Sequence, residues 1–123
     1  MVSAVTVRKW DDLGYRREHD DLVARYPNYH YLPLPTREPD FPKQYLQDVI
    51  LNDGFESQFG VELDPATTDV FLCGNPAMIG LPEGPPESPE WPEPTGVVQL
   101  LVERGFKLDR RGDPGNIHYE EYW

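Results

Sequence analysis

The sequence predicts an α/β fold, a parallel sheet flanked by helices, and three observations carry that expectation. Short runs of β-branched or aromatic residues alternate with segments whose apolar residues recur at helical spacing. The chain is 123 residues long, the size of one ordinary domain, and too short for two. Hydrophobic residues make up 38% of it and charged residues 27%, which supports a packed core beneath a solvated surface and argues against disorder.

The elements follow in order. Val2, Val5 and Val7, with Thr6, predict a buried strand. Natural termini are usually polar and loosely held, so a strand at the very start implies a chain that opens in the middle of a domain. Asp11 or Asp12 is placed to cap a helix carrying Leu13, Arg16, Arg17, Leu22, Val23 and Tyr26, which Pro27 stops. Tyr29, Tyr31 and Leu32 predict a second strand that runs into Pro33, Pro35 and the loop Thr36-Arg37-Glu38-Pro39. A helix from about Lys43 to Leu51 places Tyr45, Leu46, Val49 and Ile50 at helical spacing, and Asn52-Asp53-Gly54 ends it.

The run Val70-Phe71-Leu72-Cys73 is the most apolar strand candidate, closed by Gly74-Asn75-Pro76, with Ala77, Met78 and Ile79 opening a short helix. Residues 81 to 95 are dense in proline, which predicts an extended surface loop with no helix or ladder inside it. Thr95 is placed to cap a helix through Val97, Val98, Leu100, Leu101 and Val102, stopped by Gly105. Phe106 to Leu108 and Ile117 to Tyr122 read as two further extended pieces. In parallel sheets of this kind ligands sit beyond the carboxyl ends of the strands, here Arg8 to Asp12, Pro35 to Glu38 and Cys73 to Pro76.

Composition restricts function. A formal net charge of -11 disfavours non-specific attraction to nucleic acid or anionic lipid, so a phosphate-bearing ligand must be met by locally placed cations. One cysteine, Cys73, permits no internal disulfide and suits a reducing cytoplasm. No stretch has the length and apolarity of a membrane-spanning helix, and no signal-peptide pattern opens the chain. His19 and His30 lack partners spaced for metal binding or nucleophilic catalysis, and no Gly-x-Ser-x-Gly, Walker-type or His-Glu-x-x-His pattern occurs.

The residues that remain able to carry chemistry fall into three groups. Arg8, Arg37 and Lys43 are cations that the topology brings to the strand ends, an arrangement suited to phosphate, though any one of them alone reads as a solvated surface charge. Cys73-Gly74-Asn75-Pro76 lies between a buried strand and a helix, where glycine permits close backbone approach and free helix N–H groups can face a ligand. It serves equally as a turn that sets strand-to-helix geometry, and the residues leave both readings open. The ending Asn116 to Trp123 closes on Tyr122 and Trp123, aromatics suited to core packing or to stacking on a planar cofactor.

Together these segments resemble the NADP(H)-binding domain of ferredoxin–NADP reductases, over about Val5 to Trp123. Arg8 with Asp12-Leu13-Gly14-Tyr15 looks like the stretch after that domain's second strand, and Thr36-Arg37-Glu38 is similar to its Ser-Arg-Glu loop. Lys43-x-Tyr45-Leu46-Gln47 is similar to a Lys-x-Tyr-Ile-Gln segment of the plastid branch. Cys73-Gly74-Asn75-Pro76-Ala77-Met78 resembles the nicotinamide-site motif, and Glu120-x-Tyr122-Trp123 resembles the ending of bacterial members.

The resemblance implies a Rossmann-like parallel sheet missing its first strand, with 1–123 a partial NADP(H)-binding domain and the FAD-binding barrel outside this chain. It implies NADP(H) and FAD as cofactors, ferredoxin or flavodoxin as partner, and a full-length monomer in the cytoplasm. Thr36 and Arg37, with Lys43 and Tyr45, would hold the 2′-phosphate and adenine, and Arg8 and Gln47 would be further cofactor-binding residues. Cys73, Glu120 and Tyr122 would serve hydride transfer, with Gly74, Asn75, Pro76 and Trp123 completing the cofactor contacts. Without a flavin-binding part the chain is expected to be inactive. Two other readings stay open: a reductase component of an oxygenase or cytochrome system, and a non-enzymatic nucleotide-binding module.

Overall fold

The fold follows from a computed structural model, which describes residues 1–122. The chain divides into two compact units, Met1–Gly60 and Val61–Trp123. Both are α/β, and in both the strands pair in parallel.

In the first unit, β1 (Val2–Val7) pairs with β2 (His30–Pro35) in a register that sets Ala4 against Leu32 and Val7 against Pro35. Contrary to expectation, the second strand does not give way at Pro33 but runs through it. The ladder explains why. His30 and Thr36 donate to Met1 and Val7, each at 2.8 Å, and alternate residues of a parallel strand point the same way. Pro33 and Pro35 therefore turn their nitrogens to the opposite edge, where no donor is required. That edge cannot extend the sheet, so β2 is an edge strand by sequence.

Between these strands, the helix expected from Asp11 or Asp12 starts later. Trp10–Asp12 forms a 3-10 turn in which Asp12 accepts from the Lys9 N–H at 3.1 Å, and neither aspartate caps the helix that follows. That helix, α1 (Arg16–Arg25), leaves Leu13 outside it and is entered through Tyr15, a non-glycine residue at φ 58°. None of its residues is buried, and Leu22 and Val23 stay exposed.

The helix predicted over Lys43 to Leu51 forms only as α2 (Leu46–Leu51). Lys43 precedes it, and Tyr45 occupies the flanking position, its N–H bonded to Asp48 Oδ2 at 2.9 Å. Asn52-Asp53-Gly54 ends α2 but does not end helical structure, because Gly54 opens α3 (Gly54–Phe59). A Cβ there would lie 2.8 Å from Val49 Cγ1, so the glycine is what lets the second helix follow so closely. Leu32, Leu34 and Val49 form the core of this unit, with Ala4, Phe55 and Phe59 packed against it.

The second unit is built on β3 (Val70–Gly74) and β4 (Ile117–Glu121), with Cys73 opposite Glu120. Among the described residues the strands thus form two two-stranded sheets rather than one continuous sheet. Phe106 to Leu108 contributes only a single parallel bridge, Leu108 to Ile117. The helices α4 (Pro76–Ile79) and α5 (Val97–Glu103) supply the buried Ile79, Val97, Val98, Leu100 and Leu101.

Two expectations fail locally. Thr95 does not cap α5; Gly96 takes that position, with no side-chain cap. The reason is steric: Gly96 lies so close to Gly80 that a Cβ on it would stand 2.5 Å from the Gly80 Cα. The proline-dense loop does contain a ladder fragment, an antiparallel bridge in which Glu83 and Glu90 exchange hydrogen bonds of 2.9 and 2.8 Å. Prolines forbid donation only at their own nitrogens, and the two glutamates between them remain free to pair.

Candidate functional site

In the first unit, Arg8, Thr36 and Arg37 gather where β1 and β2 end. Thr36 donates its backbone N–H to Val7 O and Arg37 donates to Arg8 O, each at 2.8 Å, while the Thr36 hydroxyl reaches Val7 O at 3.3 Å. Arg8 and Arg37 are thereby neighbours across the strand ends, held by backbone bonds that leave their side chains exposed. Among the described residues no carboxylate pairs with the Arg37 guanidinium. In a chain of net charge -11, Arg8 and Arg37 set two exposed cations side by side at these strand ends.

Lys43 lies with its ammonium 5.0 Å from the centre of the Tyr45 ring, a cation–π contact on an exposed aromatic. Gln47 follows in the first turn of α2, half-buried. Arg8, Thr36 and Arg37 are thus brought together by the ladder, and Lys43 and Tyr45 by a local contact of their own. Sequence reasoning missed Glu38 as a structural partner. Its Oε1 accepts from the Trp10 N–H at 2.9 Å, and nothing in the spacing of the two residues announces the bond.

In the second unit, Cys73 and Gly74 close β3 and Asn75-Pro76 starts α4. Asn75 caps the helix, its Oδ1 accepting from the Met78 N–H at 2.8 Å. One of the helix N–H groups expected to be free is therefore already used, so the motif does set strand-to-helix geometry. Gly74 also admits close approach, since a Cβ there would meet the Met78 Cε at 2.6 Å.

Register places Cys73 beside Glu120 across the β3–β4 pair. The next residues bring Tyr122 to the same place: its N–H donates to Gly74 O at 2.7 Å and its phenol hydrogen-bonds the Cys73 side chain. That bond raises the Tyr122 pKa above the ordinary 10.0, with smaller contributions from burial and from the charges of Cys73 and Glu120. Cys73 is exposed and free, and Tyr122 keeps about half its surface open at 48%. Thiol, carboxylate and phenol are therefore juxtaposed on one open strand end. Trp123, the other terminal aromatic, lies outside the described residues.

A family model of the oxidoreductase NAD-binding domain matches residues 1–82. The chain belongs to that family. Among solved structures, it is similar to a ferredoxin NADP+ reductase from Neisseria gonorrhoeae with bound FAD and NADP, at 20% identity and a TM-score of 0.72. The match covers 98% of this chain and 43% of the other, so this NAD-binding domain spans less than half the length of that protein. At this identity the likeness is one of fold. No curated protein sequence matches the chain.

One further cluster of this NAD-binding domain was not legible in the sequence. His118 stacks on Phe71 at 4.7 Å, with Nδ1 3.3 Å from Asp109 Oδ2 and Nε2 3.6 Å from Asp69 Oδ1. The two carboxylates face opposite nitrogens of the ring, which does not suit a shared metal ion. Among the described residues no group of His, Cys, Asp and Glu is placed to hold one. No described helix is long and apolar enough to cross a membrane.

Proposed function

We propose that this chain is the NADP(H)-binding portion of an FAD-dependent oxidoreductase of the ferredoxin (flavodoxin)–NADP+ reductase type. Such an enzyme exchanges a hydride between NADPH and FAD, and single electrons with ferredoxin or flavodoxin. In this reading residues 1–123 form one partial nucleotide-binding domain, 81–95 is a surface loop of it, and the FAD barrel belongs to another part of the enzyme. The chain by itself binds nucleotide without turning it over.

The observation that carries the reading is the exposed Arg37 at the end of β2, beside Arg8 and paired with no carboxylate among the described residues, in a member of the NAD-binding family. A guanidinium fork and an ammonium suit a phosphate dianion, so Arg37 and Lys43 take the 2′-phosphate, with Arg8 adding charge and the Thr36 hydroxyl a hydrogen bond. Tyr45 offers the adenine a ring face, and Gln47 borders it. In the second unit Cys73 takes the nicotinamide, with Gly74, Asn75 and Pro76 shaping the backbone at that strand end. Glu120 supports that end, and Tyr122 and Trp123 cover the flavin face that nicotinamide must enter. The cofactors, when bound, supply the hydride chemistry; the protein sets distance, orientation and polarity.

The test compares 2′,5′-ADP with 5′-AMP by calorimetry on the chain. Because hydrogen bonds to charged groups are worth about 1.5–3 kcal/mol, the 2′-phosphate should tighten binding by about ten-fold or more, and Arg37→Ala should remove most of that advantage. Equal affinities for the two nucleotides would overturn the 2′-phosphate assignment.

A further inference from the structure

The loop that bears Arg37 is fastened to the exit of β1 at successive points. Thr36 is bonded to Val7 and Arg37 to Arg8 through the backbone. Glu38 then turns inward, half-buried, and its carboxylate takes the Trp10 N–H at 2.9 Å across 28 residues of sequence. The Trp10 N–H opens a 3-10 turn, and the first N–H groups of a helical turn have no partner within the turn itself. Glu38 supplies one from another loop.

The fastening continues beyond Glu38. The Phe41 N–H donates to Glu38 O at 3.3 Å, and the Phe41 ring meets the Trp10 ring edge-on at 5.1 Å. Arg16 covers Trp10 at 5.3 Å from the ring centre. Arg37 therefore projects from a segment tied on both sides, by the ladder before it and by the Glu38–Trp10–Phe41 contacts after it.

We propose that Glu38 is a positioning residue for anion recognition: through its bond to the Trp10 N–H it holds the 36–41 loop so that Arg37 and Lys43 meet a 2′-phosphate together. This rests on the reading of Arg37 given above. The function is unexpected for a carboxylate, whose own charge opposes a phosphate dianion; what the site uses is its reach and its acceptor oxygen. Three substitutions separate these properties. Glu38→Gln keeps the acceptor and discards the charge, Glu38→Asp keeps the charge and shortens the reach, and Glu38→Ala discards both.

Calorimetric titration of the chain with 2′,5′-ADP and with 5′-AMP should show Glu38→Gln binding 2′,5′-ADP at least as tightly as the unaltered chain. Glu38→Asp and Glu38→Ala should lose about ten-fold for 2′,5′-ADP, the order of one hydrogen bond's worth of alignment, and change little for 5′-AMP. Hydrogen exchange of the Trp10 amide should quicken in the Asp and Ala variants and not in Gln. If the Ala variant does not fold, the Gln and Asp pair decides. Equal losses for both nucleotides, or Asp behaving as Gln, would overturn the positioning role. An Arg37→Ala chain that keeps its preference for 2′,5′-ADP would instead overturn the reading beneath it, so the two failures are distinct.

Discussion

The phenol of Tyr122 hydrogen-bonds the side chain of Cys73 while its backbone N–H holds Gly74 O at 2.7 Å, so the residue is pinned to the end of β3 at two points. The first of these bonds is the main reason its pKa is raised. Only the neutral phenol has the proton to donate. The juxtaposition of thiol and phenol is therefore a property that a titration can read.

Cys73→Ala should lower the Tyr122 pKa toward the ordinary 10.0, leaving the smaller effect of burial and of Glu120. The measurement is tyrosinate absorbance against pH, with Tyr122→Phe identifying the contribution of that ring. The sign for stability follows from a raised value in the folded state: the contribution is fully present below about 10 and is lost as pH rises through the raised value. Superimposable titrations of the Cys73→Ala and unaltered chains would show that the bond is not made.

Tyr31 presents a different tyrosine. Its hydroxyl is buried and has no hydrogen-bond partner among the described residues, while its ring stacks on His19 at 4.3 Å. Burial is the main cause of its raised pKa, followed by Asp20; Arg16 opposes the shift, and Tyr29 adds to it. Tyr31→Phe keeps the stacked ring and removes an unsatisfied polar atom, whose burial costs about 1–3 kcal/mol. Urea unfolding should find the variant as stable as the unaltered chain or more stable. A loss above about 1 kcal/mol would mean that the hydroxyl has a partner worth that much.

Gly80 and Gly96 meet backbone to backbone, and neither neighbour is a flexible side chain that could yield. Gly96→Ala should therefore cost about 1–3 kcal/mol by overpacking. Gly80→Ala should cost more, because Gly80 also sits at φ 69°, where a Cβ is disfavoured by about 1–2 kcal/mol. Gly112→Ala is the control, at φ 78° with nothing within 4 Å of where its Cβ would stand. Denaturant midpoints of Gly80→Ala and Gly112→Ala that coincide would remove the contact from the explanation.

Local pattern reached some elements and missed others for identifiable reasons. Val2–Val7 and the core of Val70–Gly74 were legible because β-branched and apolar runs report strand directly. Pro33 and Pro35 misled, since whether a proline ends a strand depends on which edge its nitrogen faces, and that is set by the pairing with β1. Gly54 looked like a stop and is a start, because its meaning depends on Val49 lying against it. Among the candidate site residues, Arg37 and Cys73 stood out by residue type and by their place after strands, whereas Glu38 was named only within the Thr36-Arg37-Glu38 loop, with no role of its own.

The sequence by itself determined where β1 to β4 lie, the parallel α/β class and which loops carry cations, thiol and terminal aromatics, because residue patterning and turn chemistry act over a few residues. Tertiary structure alone decided the pairings: Glu38 with the Trp10 N–H, Tyr122 with Cys73, Gly80 with Gly96. Each joins residues distant in the chain. Hydrogen bonds and steric contacts depend on separations of a few ångströms in space, which no local pattern of residue types encodes.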